Sequence, residues 1–123
     1  MTNAYVQRGD VINYANAGSA IAAGDVVVMG HTIGVALTDI AATTGVGAVG
    51  IEGVFTVPKV SAAVFAQGEK LVFDVSASPP AFDDSAASPA SGDITGGAVA
   101  MVAGANGETT CVVKLTPGNA TKA

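Results

Sequence analysis

An all-β fold is expected from three observations. A Gly-acidic step precedes strand-like residues four times, at Gly9-Asp10, Gly24-Asp25, Gly68-Glu69 and Gly92-Asp93. Glycine tolerates the positive φ of a tight turn, and a carboxylate favours turns by accepting hydrogen bonds from nearby amides. Short runs rich in Val and Ile follow these steps and suit a pleated, half-buried surface. No stretch is built as a long helix. The fold class read from this pattern is a small single-domain β-sandwich or barrel, jelly-roll-like, with at most one or two short helical turns.

Taken in order, Tyr5-Val6-Gln7 and Val11-Ile12-Asn13-Tyr14 read as two short strands around the first turn. Residues 15–23 are small and permissive, a loop leading to the second turn. Residues 26–29 form a continuous apolar run, consistent with a buried strand. Gly30-His31-Thr32 breaks the run and Ile33-Gly34-Val35-Ala36-Leu37 resumes it. The strongest strand material lies in 46–57, where alternation places Val49, Ile51, Phe55 and Val57 on one face. Gly53 falls on that same face, as at a bulge or a close backbone approach. Pro58 ends the run, and the Ala-rich 60–67 is expected to form one or two helical turns before Gly68. Leu71-Val72-Phe73 makes the next strand. Residues 76–97 turn to Ser, Ala, Pro and Asp and read as a long loop within the domain. Residues 98–103 and 109–115 read as a β-hairpin around Asn106-Gly107. The single β domain is expected to span 1–123, with 117–123 a flexible tail.

The 123 residues, at 11.9 kDa, suffice for one core without disulfide or metal. That core must be aliphatic, since half the residues are hydrophobic yet only 5% are aromatic and none is Trp. Charged residues are only 12%, about half the usual share. A surface so poor in charge is weakly defended against association, which suggests that partners cover part of it. The net charge of −5 and the scatter of Arg8, Lys59, Lys70, Lys114 and Lys122 disfavour nucleic acid, which needs clustered cations. An anionic membrane is disfavoured on the same ground. Met1-Thr2-Asn3-Ala4-Tyr5 shows no basic region leading into an apolar run, so no signal peptide is expected. No run approaches the length of a membrane span. The lone Cys111 is read as a small buried strand residue.

The motifs that might carry chemistry fail on context. Gly45-Val46-Gly47-Ala48-Val49-Gly50 matches the dinucleotide-binding glycine pattern, but strand-forming residues follow it where a helix is required. No Gly-x-x-x-x-Gly-Lys-Ser/Thr phosphate loop is present. His31 is the only histidine, which rules out a multi-histidine zinc site, and it sits in a Gly-flanked turn without a nucleophile elbow. Asp83, Asp84 and Asp93 match no calcium loop and read as solvated loop acids. No catalytic, cofactor-binding or metal-binding residues are assigned, and no enzyme activity is expected. Tyr5, Arg8 and Tyr14 cluster in an otherwise aromatic-poor chain, and Tyr and Arg are favoured interface anchors. They are the interface candidates.

Several segments together resemble a known family. These are Tyr5-Val6-Gln7-Arg8-Gly9-Asp10-Val11-Ile12, Ile21-Ala22-Ala23-Gly24-Asp25-Val26-Val27-Val28, Gly34-Val35-Ala36-Leu37, Ile51-Glu52-Gly53-Val54-Phe55-Thr56-Val57-Pro58-Lys59 and Gln67-Gly68-Glu69-Lys70-Leu71. In that order they resemble the phage capsid cement, or decoration, proteins. The resemblance runs from about Tyr5 to Leu115, and 76–97 is its least family-like part. It implies an all-β protein on the outer surface of a tailed-phage capsid, clamping adjacent major capsid protein subunits. It also implies a virion component made in the bacterial host cytoplasm, without cofactors. The partners expected are the major capsid protein and the protein itself as a homo-oligomer, with a trimer favoured and a dimer the alternative. Some members of the family are labelled recombinases, to which this short, acidic chain lends no physical support. The alternative function is a non-catalytic β module that binds a ligand such as a surface glycan.

Overall fold

The computed structural model describes residues 4–123 and places ten strands there, with no helix among them. They are β1 (Val11–Ala15), β2 (Val26–Met29), β3 (Thr32–Ala36), β4 (Val46–Gly50), β5 (Gly53–Pro58), β6 (Lys70–Asp74), β7 (Ala81–Asp83), β8 (Ile94–Ala100), β9 (Thr110–Leu115) and β10 (Thr121–Lys122). Two antiparallel sheets result. One has four strands in the order β1-β4-β3-β2; the other has six, in the order β5-β9-β8-β6-β7 with β10 added beside β8. The larger sheet curls until Lys59, just past β5, forms a parallel bridge with Phe82 of β7. Its two edges therefore meet, which removes the exposed strand edges that invite unwanted pairing.

Burial explains why the two sheets stay together. The main core combines Ile33 and Val35 of β3 with Leu71, Phe73, Phe82, Ile94, Val113 and Leu115 of the curled sheet. Phe73 and Phe82 face each other across β6 and β7, their ring centroids 4.9 Å apart. A smaller cluster of Val27, Ala36, Ile40 and Val49 lies on the opposite face of the four-stranded sheet. Its cover comes from connecting segments, pinned where Ile21 and Ile40 form an isolated bridge.

The acidic turns have a shared construction that the chain repeats as Ala-x-Gly-acid. Four tetrads carry it: Ala22-Ala23-Gly24-Asp25, Ala66-Gln67-Gly68-Glu69, Ala90-Ser91-Gly92-Asp93 and Ala105-Asn106-Gly107-Glu108. In each, the amide of the acid donates to the carbonyl of the alanine, at 3.0–3.2 Å. The carboxylate in return accepts the alanine's amide, at 3.0, 3.1, 2.9 and 2.6 Å in chain order. The third residue has φ of 92°, 89°, 93° and 96° respectively, as a type II turn demands, so glycine is required there. Three of these turns then dock on one further residue, the glycine amide donating to its carbonyl and the main-chain carbonyl of the acidic residue accepting its amide. The receiving residues are Ala36, Ala100 and Ala123. Each tetrad hands the chain to a strand: β2, β6, β8 and β9.

Several expectations change. Gly9-Asp10 is not one of these turns, for Gly9 has no positive φ and the Asp10 carboxylate pairs with Arg8. Gly107-Glu108 replaces it in the set. Residues 5–7 are not a strand. The 46–57 run breaks at Ile51-Glu52, sending β4 and β5 to different sheets, so Val49 and Ile51 share the small cluster while Val57 joins the main core, with Phe55 packed against it. The 60–67 segment contains a turn and the Phe65–Gly104 bridge rather than helical turns, because burying Phe65 favours an extended backbone there. Within 76–97, β7 buries Ala81 and Phe82. Within 117–123, Thr121–Lys122 form β10, and Ala123 exchanges two hydrogen bonds with the Gly92-Asp93 turn.

Candidate interaction surface

Residues 4–8 form an arm outside any strand, exposed throughout, that leads into β1. Tyr5 and Val6 on it are 69% and 88% exposed. Arg8 projects into solvent and contacts Asp10 at 3.2 Å. Tyr14 is placed differently: it lies within β1, half-buried against the small cluster beside Ile21, Met29 and Ile51. The fold thus puts Tyr5 and Arg8 on one arm and turns Tyr14 inward to the small cluster.

An uncovered sheet face lies next to this arm. Directly opposed residues of antiparallel strands point to the same side, and the registers pair Val11 with Gly50, Asn13 with Ala48 and Ala15 with Val46. Gly50 also opposes Val35, whose side chain enters the main core. This is therefore the core-facing side of the four-stranded sheet. The curled sheet covers it over β2 and β3 but not over β1 and the start of β4. Val11, Leu37 and Val46 remain 37%, 43% and 66% exposed. Phe55 marks the boundary, its ring tip 3.0 Å from where a Cβ on Gly50 would stand. Alternation alone cannot reveal such a face, because it marks these positions as inward without saying how far the second sheet reaches.

Most of the carboxylates are occupied by the backbone. Eight of the ten carboxylates, Asp25, Asp39, Glu69, Asp74, Asp83, Asp84, Asp93 and Glu108, accept a hydrogen bond from a main-chain amide. Glu69 is held below the ordinary carboxylate value, chiefly by the Ser85 amide and then that of Ala66. Asp74 is lowered chiefly by the Ser76 hydroxyl and then the Ser76 amide. Asp93 is buried and accepts from both Val75 and Ala90. Among the described residues no group of three metal-ligating side chains converges. The acidity of this chain is largely turn construction.

Lys59 is the group that sequence reading passes over. It is only 4% exposed, and its Nζ donates to the carbonyls of Val60, Ser61 and Glu108 at 2.9, 3.3 and 3.4 Å. The ammonium also lies 5.8 Å from the Phe65 ring centroid. At the Glu108 turn it takes the role that a backbone amide plays at the other three, while Gly107 donates to Ser61. A lysine following Pro58 at a strand end was a weak signal of that role. Asn16 is likewise buried, bonding Ser19, Ala41 and Gly18 to shape the loop after β1.

The side chains weighed for chemistry stand apart. His31 is exposed in the two-residue turn between β2 and β3. The Gly-x-Gly-x-x-Gly pattern lies along β4, where a Cβ on Gly47 would come within 2.5 Å of Ile40 Cγ1. Close packing, and no helix amino end, accounts for glycine there. Cys111 is buried in β9, and burial pushes its thiol up to about 11 despite the opposing pull of Lys59. It stays neutral and a weak nucleophile near pH 7. A cleft of about 570 Å³ between the end of β5 and the loop after β6 is lined by Pro58, Val60, Pro79, Ala81 and neighbours, with no constellation of acid, base and nucleophile.

Comparison with known proteins places this arrangement. A family model described as phage cement protein matches residues 6–115, from the exposed arm to the last residue of β9. Among curated proteins, none matches the chain.

Proposed function

Because the chain belongs to the phage cement protein family, which gives it a structural role in the phage capsid, we propose that it binds the outer surface of a tailed-phage shell and clamps adjacent major capsid protein subunits. The family match over 6–115 carries this reading. The physical character of the molecule supports it. Its acids are consumed in turns, its thiol is buried, and its exposed arm and uncovered sheet face are built for contact.

Clamping acts by linkage. A protein that binds assembled subunits, and not separated ones, stabilises the assembly by RT ln(1 + [L]/Kd), about 2.7 kcal/mol per site at a hundredfold excess over Kd. Contact with two neighbouring subunits raises the effective concentration of the second contact, so each can be weak. A standard contact of about 800 Å² per partner is roughly an eighth of the 6650 Å² surface. The arm bearing Tyr5 and Arg8 is the first segment expected to touch the shell.

The test uses purified shells lacking this protein. Adding it is expected to raise the temperature at which shells disrupt, saturating at a fixed stoichiometry, with the protein visible on the exterior by cryo-EM. Shells that neither bind it nor gain thermal resistance would refute the clamp.

A further inference from the structure

We propose that Asn106 is a self-modification site whose reaction the fold holds shut. When the turn from Ala105 to Glu108 opens, the Gly107 amide displaces the Asn106 side-chain amide and leaves aspartate or isoaspartate. This goes beyond the capsid role and does not depend on it.

The four Ala-x-Gly-acid turns differ at their second residue, which is Ala23, Gln67, Ser91 or Asn106. Of these, only asparagine places a side-chain carbonyl carbon where the following main-chain nitrogen closes a five-membered ring. Gln67 would need a six-membered ring, and its Nε2 donates to Met101 O at 2.8 Å. Asn106-Gly107 is also the only Asn-Gly step in the chain, and glycine leaves the attacking nitrogen unshielded by a side chain. Asn106 is exposed, so water reaches it.

The reaction balances with water as the only co-reactant. Gly107 N attacks Asn106 Cγ and forms a new N–C bond. The Cγ–Nδ2 bond breaks, and ammonia leaves carrying the former Gly107 amide proton. Water then opens the cyclic imide at one of its two carbonyls. Attack at Cγ restores the main chain and gives aspartate. Attack at the Asn106 main-chain carbonyl carbon gives isoaspartate, whose main chain runs through Cβ and Cγ and is longer by one methylene.

The folded turn opposes the first step in two ways. The Gly107 amide donates to Ser61 O at 2.7 Å, which engages the attacking nitrogen and holds its proton. The type II geometry, marked by φ of 96° at Gly107, fixes ψ of Asn106 near about +120°. Ring closure instead requires that nitrogen to swing about Cα–C until it eclipses Cβ, which takes it away from Ser61. Lys59 ties both sides of the turn together. Its Nζ donates to Ser61 O and Glu108 O at 3.3 and 3.4 Å, and its amide donates to Thr109 O at 2.8 Å. Loosening Lys59 therefore frees Gly107 to react. The change is one-way, because the extra methylene of isoaspartate disrupts the closure of Glu108 N on Ala105 O, 3.2 Å in the native turn. Modification thus marks molecules in which this turn has opened.

The test incubates the full chain in mildly alkaline buffer, folded and, in parallel, unfolded in urea. Peptide mass spectrometry reads residue 106 as a gain of about 1 Da, and chromatography separates the isoaspartate form. Conversion is expected to be at least about tenfold slower in the folded chain, as for an amide that reacts only through local opening. Lys59→Met, checked for folding by circular dichroism, is expected to speed conversion in the folded state about tenfold. Should that variant misfold, wild-type protein in urea below its unfolding transition carries the test, with conversion expected to climb in step with hydrogen exchange at Gly107. Asn106→Gln is expected to show no gain at this position. Equal rates in the folded and unfolded chain would overturn the gate, as would a folded Lys59→Met protein that converts no faster. A rate that stays flat in sub-denaturing urea would do the same. No conversion at residue 106 in the unfolded chain, or faster conversion at Asn13, Asn16 or Asn119, would overturn the site itself.

Discussion

The two sheets of this molecule answer the same problem in opposite ways. The six-stranded sheet curls until its edges join, and it encloses Phe73, Phe82, Leu71, Ile94 and Val113 almost completely. The four-stranded sheet stays open, covers a small cluster with loops, and leaves an uncharged edge and the side chains of Val11, Leu37 and Val46 in solvent. The fully buried aromatic rings are thus concentrated in one region, while the other leaves one apolar face open.

The sharpest way to break that comparison is at the seam of the curled sheet. Phe82→Ala removes a fully buried ring from the strand that closes it and is expected to lose about 3–5 kcal/mol in urea unfolding. A loss under about 1 kcal/mol would mean that the closure is not the stable part. Lys59→Met keeps the apolar stem but removes the ammonium from three carbonyls; about 2–3 kcal/mol of lost stability is expected by the same measurement. The repeated turns permit a paired test. Asp93→Ala, at a buried turn with two amide partners, is expected to lose about 1–3 kcal/mol, and Asp25→Ala, at an exposed turn of the open sheet, at most about 1 kcal/mol.

Acid should separate the regions as well. Glu69 precedes β6 and Asp74 ends it, and both are held below their ordinary values of 4.5 and 3.8. A lowered folded value means that the unfolded chain binds protons first as pH falls, so the stabilisation is whole above these ordinary values and drains away below them. Thermal melting at stepped pH should therefore be flat near neutrality and drop below about pH 4.5, with a shallower drop in Glu69→Gln. The smallest effect is expected at Val46→Ser on the open face, within about 0.5 kcal/mol of wild type in urea unfolding.

How much of this was legible beforehand varies with the distance over which each feature is decided. The turns at Gly24, Gly68 and Gly92 were visible because glycine and a carboxylate act within four residues. Gly107-Glu108 was visible in principle too, but Asn106-Gly107 invited a tight hairpin reading that concealed the alanine three residues before the acid. Tyr5 and Tyr14 looked alike as aromatic anchors. Their fates differ because Tyr14 sits within β1 on a loop-covered face, and Tyr5 lies in the segment that leads into that strand.

The amino-acid sequence by itself determined the strand-and-turn grammar, the aliphatic core and the family. Each of these rests on local backbone preference or on residue identity. The tertiary structure alone decided that 46–57 splits between two sheets, that Lys59 is buried as a turn lock, that 76–97 contributes β7 to the core, and that β1 keeps an open edge beside an uncovered apolar face. Those outcomes depend on how far the curled sheet reaches over its neighbour, a packing balance among residues far apart in the chain that no local pattern encodes.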